Sequence, residues 1–330
     1  MTKEFQCSAC DGVRVGRIFE VPEQYFGWSE VFSYDQCEQC GTIAIRQVPT
    51  QLGSYYGPAY YSMKMSEVQA EGGHARVLRR LRTDYWLRFG GGVQRLGSEA
   101  MSRLVGRAEV IERFGKWMRM AQVRSHSIIA DIGCGQGSYL WALYREGMDH
   151  VFGYDPFVER PGKIGKHGYI ANTGVDALPT NIDFMLMNHS LEHALEPGQL
   201  LRDCHRQLAG TGYLLIQMPV ADNPMLERYA IHWVGLDAPR HINVFSEAGA
   251  RRLLERSGFN VVASERYTHI FQWVMSEQLR RGVAQAAHDS YLNDSGTPLF
   301  SQADMNDLVR QTQAMTASRD GDCITILARK

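Results

Sequence analysis

Four cysteines near the start of the chain form two CxxC pairs, Cys7/Cys10 and Cys37/Cys40. A CxxC turn aims two sulfurs at one ion, and two such turns complete a tetrahedral four-thiolate zinc site. The pairs are separated by 26 residues, and Gly41 follows the second pair directly, where a tight turn needs it. Four thiolates leave no open coordination position. The expected zinc is therefore structural, with Cys7, Cys10, Cys37 and Cys40 as its ligands.

The second stretch with chemistry in it is Asp131-Ile132-Gly133-Cys134-Gly135-Gln136-Gly137. Gly133, Gly135 and Gly137 permit a tight turn and close approach of backbone to a ligand. A dinucleotide fingerprint reads GxGxxG and sets a pyrophosphate on a helix N-terminus. Here the spacing is GxGxG, and Asp131 adds a carboxylate that would repel a pyrophosphate. The same carboxylate suits a cation. The next apolar run, Val151-Phe152-Gly153-Tyr154, ends in Asp155, 18 residues after Gly137. An acid at such a strand tip can accept hydrogen bonds from both hydroxyls of a ribose. A ligand with a ribose, positive charge and no phosphate fits both signals, and S-adenosylmethionine (SAM), with its ammonium and sulfonium, is such a ligand.

Downstream lies Asn188-His189-Ser190-Leu191-Glu192-His193, just after another apolar run. Histidine has the neutral-range pKa that a general base for a hydroxyl or amine acceptor needs. His189, Glu192, His193 and His241 are the candidate catalytic residues, His241 lying after Pro239-Arg240 in a segment expected to cover the site. HSLEH also matches the HxxEH zinc-peptidase pattern, but that pattern requires a helix, and here it follows a strand.

These residues must be carried by elements of two kinds. Short β-like runs at Val13–Val21, Val31–Tyr34 and Thr42–Val48 flank the cysteine pairs. An aromatic segment follows (Tyr55, Tyr56, Tyr60, Tyr61), to be read as packing or as a lid over a ring. Helical patterns cover 74–89 and 98–121 around Gly90-Gly91-Gly92. From residue 126, strands at 127–132, 151–154, 169–171, 183–187, 213–218, 259–263 and 323–328 alternate with helices at 138–146, 198–208, 246–257, about 270–287 and 302–317. Such alternation predicts a parallel α/β sheet covered on both faces, whose ligands bind at the carboxyl edge. The expected organisation is a zinc-binding module at 1–50, an aromatic and basic helical linker and lid at 51–125, and a cofactor-binding domain at 126–330.

Composition narrows the function classes. The 330 residues are 44% hydrophobic and 22% charged, with net charge −1. That is a globular balance without the basic excess of a dedicated nucleic-acid binder. The charge is uneven: residues 1–60 carry −3, 61–125 carry +7 and the remainder −5. Arg76, Arg79, Arg80, Arg82 and Arg88 read as the solvated face of a helix or as a grip on a diphosphate. No apolar run approaches the roughly 18–20 residues of a membrane span. The first residues lack an apolar signal region, so a cytoplasmic, reducing location is expected.

The chain resembles the class I SAM-dependent methyltransferases over residues 107–330. The resemblance is carried by DIGCGQG (131–137), GYDP (153–156), IDFMLMNHSLEH (182–193) and GYLLIQMP (212–219). It implies a Rossmann-like, doubly wound, seven-stranded α/β methyltransferase sheet with SAM as cofactor. It puts Asn188 beside the cofactor, and Thr173 at the place that follows the third strand. DAPRHINVFS (237–246) is similar to a subgroup acting on sugars and other small metabolites. QCEQCGTIAIRQVP (36–49) and YYGPAYYS (55–62) resemble a zinc-ribbon-like module found before some sugar methyltransferases. The ubiquinone-pathway O-methyltransferases carry an ExxEH metal site where this chain has His189, Glu192 and His193. That implies a second divalent metal there.

The function expected is SAM-dependent methyl transfer to a small metabolite, such as a nucleotide-linked sugar. Two alternatives stay open. One is an RNA-base methyltransferase gripping RNA through the zinc module and basic helices. The other is a non-catalytic SAM-binding interaction module.

Overall fold

A computed structural model of the chain describes residues 5–56, 73–89, 105–106, 108–158, 161–293 and 299–330. Gly90-Gly91-Gly92, Tyr60, Tyr61 and the first residues of the helix expected at 98–121 lie outside the described residues.

The N-terminal strands β1 (Val15–Pro22), β2 (Val31–Cys37) and β3 (Ile43–Ile45) form an antiparallel meander. Helices α1 (Gly73–Phe89) and α2 (Glu109–Met120) follow. The α/β region then runs β4 (Ile129–Ile132), α3 (Ser138–Arg145), β5 (Val151–Tyr154), β6 (Gly162–Ile164), β7 (Gly168–Ala171), β8 (Ile182–Asn188), α4 (Pro197–Gln207) and β9 (Leu208–Pro219). It continues through α5 (Pro224–Tyr229), β10 (Asn243–Val244), α6 (Glu247–Arg256), β11 (Asn260–Tyr267), α7 (Ile270–Arg280), α8 (Gln302–Ser318) and β12 (Cys323–Arg329).

The large sheet has the order β11-β12-β9-β8-β4-β5-β7-β6. It is the Rossmann-like α/β sheet the strand and helix pattern predicts, with two differences. Gly162–Ile164 adds an eighth strand, paired antiparallel to β7 across a short turn. The sheet is also mixed rather than parallel, because β12 runs antiparallel to both β9 and β11. The cause is the connection. A single crossover helix returns the chain for a parallel strand, whereas α7 and α8 pack on one another as a pair and bring it back the other way. The central strands β7, β5, β4, β8 and β9 are parallel. Their direction of chain growth reverses between β4 and β8, so the crevice at the carboxyl ends of these two strands is the switch point where ligands of such sheets bind.

The N-terminal meander is not a free-standing sheet. Its fourth strand is β10, paired antiparallel to β3. Cys7, Cys37 and Cys40 belong to the same apolar cluster as Met185, Ile216 and Ile326 of the large sheet. Arg240 fastens the two parts. It is fully buried, with Asp237 at 2.6 Å and Glu23 at 2.9 Å. Glu23 in turn accepts from the backbone N–H groups of Tyr25, Phe26 and Gly27. Removing one member of a buried ion network leaves its partners charged and desolvated. Arg240→Ala is expected to lower stability by about 3–5 kcal/mol, read as a lower urea midpoint with an unchanged slope. A midpoint within error of the parent protein would show that the triad carries no such load.

Four of the five arginines of α1 resolve differently from either sequence expectation, while Arg88 is exposed, as a solvated face predicts. Arg76 pairs with Asp149 at 2.6 Å and donates to the Tyr144 carbonyl. Arg79 donates to the Val105 carbonyl and Arg80 to Ser125 Oγ. Buried Arg82 binds Glu146 and the Gly106 carbonyl. Arg76, Arg80 and Arg82 tie the helix to the α/β region, and Arg79 ties it to the segment before α2. Trp86 of α1 completes the contact by lying over Gly115 of α2, where a Cβ would come within 2.2 Å of the ring.

Candidate active site and metal centre

The glycine loop leaves the tip of β4 as expected of a close-approach turn. Gly133, Gly135 and Gly137 have φ of 77°, 53° and 81°, a region that side chains seldom enter. At Gly133 a Cβ would also stand 2.3 Å from Ser190 Cβ. Ser190 Oγ donates to the Ile132 carbonyl at 2.6 Å, tying the β8 turn to the loop.

Asp155, at the tip of β5, is the bracket of this loop. Its Oδ2 accepts the Gly135 N–H and its Oδ1 the Phe157 N–H, both at 2.8 Å. Each oxygen keeps a lone pair for a ligand hydroxyl. Burial raises its pKa, and the two backbone donors oppose that rise. Asp131 lies within β4 and is 2% exposed. Burial, and then the charge of Asp155, push its carboxyl up to about 8. Two buried acids beside one glycine loop form a site whose charge a cationic ligand would relieve. This is the fit that SAM requires. Thr173 is exposed two residues beyond β7. Asn188 ends β8, and its Oδ1 accepts from Arg113 Nη2 at 3.2 Å.

The histidines gather on the same edge. His189 takes a left-handed backbone (φ 52°), uncommon for a residue with a side chain. Its Nδ1 is 3.3 Å from Glu192 Oε1, and its Nε2 is 3.5 Å from the Tyr267 hydroxyl. Glu192 is fully buried. Burial acts to raise its pKa, but His189, then His193 and His241, bring it below the usual carboxylate value. His193 and His241 meet edge to face, with ring centroids 4.7 Å apart. Burial, and then His241, lower the His193 pKa to about 4. The ion expected on His189, Glu192 and His193 meets a different geometry. Among the described residues, the trio whose ligating atoms lie within 4.8 Å of one another is Glu192, His193 and His241. His189 is left to one side of it, against Tyr267.

The described residues of the aromatic segment, Tyr55 and Tyr56, divide in role. Tyr55 is a packing residue: it is buried and donates its hydroxyl to Glu30 at 2.9 Å. Tyr56 spans the two halves of the site, stacked on Phe157 at 4.9 Å, with its hydroxyl 2.9 Å from His193 Nδ1. The bracing by Ser190, Arg113, Phe157 and Tyr267 has no signature in the sequence, since each acts through a contact made only in the folded chain.

The four cysteines converge in a second centre. Cys7 and Cys40 Sγ are 3.6 Å apart, as are Cys10 and Cys37 Sγ. All four lie within 4.8 Å of one another. The two turns match. Asp11 and Gly41, each following a pair, are left-handed (φ 60° and 78°), and their N–H groups bond back to the Cys7 and Cys37 carbonyls. A Cβ on Gly12 would fall 2.9 Å from Cys37 Sγ, so the cradle leaves no spare room. The Cys7 contact draws Cys40 down to about 4, while the same contact raises Cys7 and burial raises Cys10.

Comparison with known proteins gives three findings. A family model described as a methyltransferase domain matches residues 100–264, half of the chain. The tRNA U34 carboxymethyltransferase of Saccharophagus degradans is 30% identical over 115 residues, 31% of this chain and 35% of that protein. The chain thus spans about a third of the length of this curated relative. Among solved structures, a SAM-dependent methyltransferase from Archaeoglobus fulgidus superposes with TM-score 0.41 at 19% identity, covering 70% of this chain and 98% of that one. The 1,6-didemethyltoxoflavin-N1-methyltransferase of Burkholderia thailandensis, solved with bound 1,6-didemethyltoxoflavin and S-adenosylhomocysteine, gives TM-score 0.40 at 16% identity, covering 80% of this chain and 93% of that one.

Proposed function

We propose that this chain, a member of the methyltransferase-domain family, is a SAM-dependent methyltransferase that methylates a small, polar metabolite, a saccharide or nucleotide-linked sugar. The observation that carries this reading is one juxtaposition at the β4/β8 switch point. Asp155 brackets the Gly133–Gly137 loop on one side, and buried Glu192 stands among His189, His193 and His241 on the other.

When bound, SAM supplies an electrophilic methyl group on a sulfonium. Asp131 answers its positive charge, Asp155 its ribose, and Thr173 and Asn188 border the same cleft. His189 is the general base of this reading. Glu192 lies against its Nδ1, an arrangement that orients the ring and leaves Nε2 to take a proton from the acceptor. Tyr56, stacked on Phe157, stands beside His193 and offers a ring against which a small reactant can be positioned. Arg76, Arg79, Arg80 and Arg82 of α1 are engaged by protein groups and lend a diphosphate no support. Zinc on Cys7, Cys10, Cys37 and Cys40 braces the N-terminal module.

An RNA acceptor is the second reading, favoured by the tRNA-modifying relative. A SAM-consumption screen across sugars, nucleotide sugars and RNA separates the two, with turnover expected on the small acceptors. Strongly salt-dependent binding and turnover on RNA alone would favour the second. Asp155→Ala removes both the ribose acceptor and the bracket on Gly135. It is expected to weaken SAM binding about 100-fold or more, the loss of two charge-assisted hydrogen bonds. Unchanged affinity by calorimetry would sink the ribose assignment.

A further inference from the structure

We propose that Glu192, His193 and His241 form a binding site for a divalent metal cation. Glu192 is fully buried; His189 Nδ1 stands 3.3 Å from its Oε1, but neither carboxylate oxygen is met in hydrogen-bonding geometry among the described residues. A carboxylate is not left so without cause, since desolvating it uncompensated is expensive.

The two histidines do not compensate it with a hydrogen bond, and their backbone contacts say why. His193 Nδ1 lies 2.9 Å from the Arg240 carbonyl, and His241 Nδ1 lies 2.8 Å from the Gly235 carbonyl. A carbonyl only accepts, so both Nδ1 atoms carry the hydrogen and each Nε2 presents a lone pair. The cluster is therefore a carboxylate and two imidazoles, each imidazole with a lone pair to give, and one ligating atom from each of the three lies within 4.8 Å of the others. A cation held among them would compensate the buried carboxylate. Imidazole and carboxylate bind divalent ions at about 2.0–2.2 Å, so ligand atoms around one ion stand up to about 4 Å apart. Closing the trio onto an ion asks for small side-chain rotations only.

The outer contacts fit the same purpose. Histidines that bind metals commonly donate the other ring N–H to a carbonyl, which sets tautomer and ring orientation. Here the Arg240 carbonyl belongs to the residue locked by Asp237 and Glu23. Two histidines and one carboxylate leave coordination positions open. If this edge is the acceptor site, as proposed above, an acceptor oxygen would fill one of them, but cation binding does not depend on that reading.

The test uses the full-length, zinc-loaded chain without SAM, titrated with Mn2+ and followed by the electron paramagnetic resonance of free Mn2+. Mn2+ avoids thiolates, so the cysteine quartet does not compete. The expected result is one Mn2+ per chain, with nitrogen couplings from imidazole in pulsed spectra. Binding should weaken at least about tenfold in Glu192→Gln and in His241→Ala, while His189→Ala stays within about threefold of the parent. Absence of Mn2+ binding by the folded parent protein, no imidazole coupling, or undiminished affinity in His241→Ala would overturn the site. Asp155→Ala separates this from the SAM reading, because it should lose SAM and keep Mn2+.

Discussion

SAM affinity is expected to rise nearly tenfold per pH unit between roughly pH 6 and 8, and to level off above. The argument runs through Asp131. In the free protein, burial and then the neighbouring charge of Asp155 hold its carboxyl at about 8, so at pH 7 it is mostly protonated. A cationic ligand beside it favours the ionised form, and binding must then release the proton. Below a pKa of about 8, each unit of pH makes that release easier by a factor of ten; above it there is no proton left to lose. Stability of the free protein carries the opposite sign. The unfolded chain loses this proton near the ordinary aspartate value and the folded chain keeps it, so the residue's contribution declines as pH rises from about 4 to about 8. Calorimetry in buffers of different ionisation enthalpy would read the proton directly. Asp131→Asn should flatten the affinity profile. A flat profile in the parent protein would mean that Asp131 does not answer the cofactor's charge.

What was legible in the sequence is what depends on local spacing. The CxxC pairs predict their own convergence, because a four-residue turn determines where two sulfurs go. The Gly133–Gly137 turn and Asp155 were readable for the same reason: strand, turn and helix follow one another without a gap. What escaped is set by contacts between distant segments. β10 pairs with β3 across some two hundred residues, and a strand of two residues leaves almost no pattern. The Glu23–Arg240–Asp237 triad joins residues that look unremarkable in sequence, and only burial gives them their role. His241 was visible as a candidate, but its place beside Glu192 and His193, with His189 turned towards Tyr267, depends on a left-handed turn that nothing in HSLEH announces. The basic helix misled because arginine patterns do not reveal whether the partner is solvent, phosphate or protein. Asp149, Glu146 and three backbone carbonyls supplied the answer.

Stripping metal from the cysteine quartet is expected to destabilise the whole molecule, well beyond the first fifty residues. Sulfurs 3.6 Å apart match the edge of a tetrahedron with Zn–S bonds of about 2.3 Å, which is about 3.8 Å. Apparent zinc-binding energies at such sites are about 10–16 kcal/mol, as large as the total stability of a typical domain at about 5–15 kcal/mol. Two routes carry the loss into the α/β region. The cysteines share an apolar cluster with the large sheet, and Ser246, which caps α6, donates its hydroxyl to the Cys40 carbonyl. Arg256 at the end of α6 binds Asp11 at 2.5 Å and the Ala9 carbonyl at 3.2 Å. Loosening the quartet therefore releases β10 and the start of α6, the segment that carries His241. Purified under reducing conditions, the protein should hold one zinc per chain by elemental analysis. Cys40→Ser, or a chelator at neutral pH, should lower the thermal midpoint by about 10 °C or more, since each kcal/mol is worth about 2–4 °C in a chain of this class. Hydrogen exchange should quicken in β1–β3 and, with them, in residues 240–250. A midpoint unmoved by metal removal would reduce the quartet to four buried thiols, and faster exchange confined to β1–β3 would show that the metal braces its own sheet and leaves the acceptor side to the Arg240 triad.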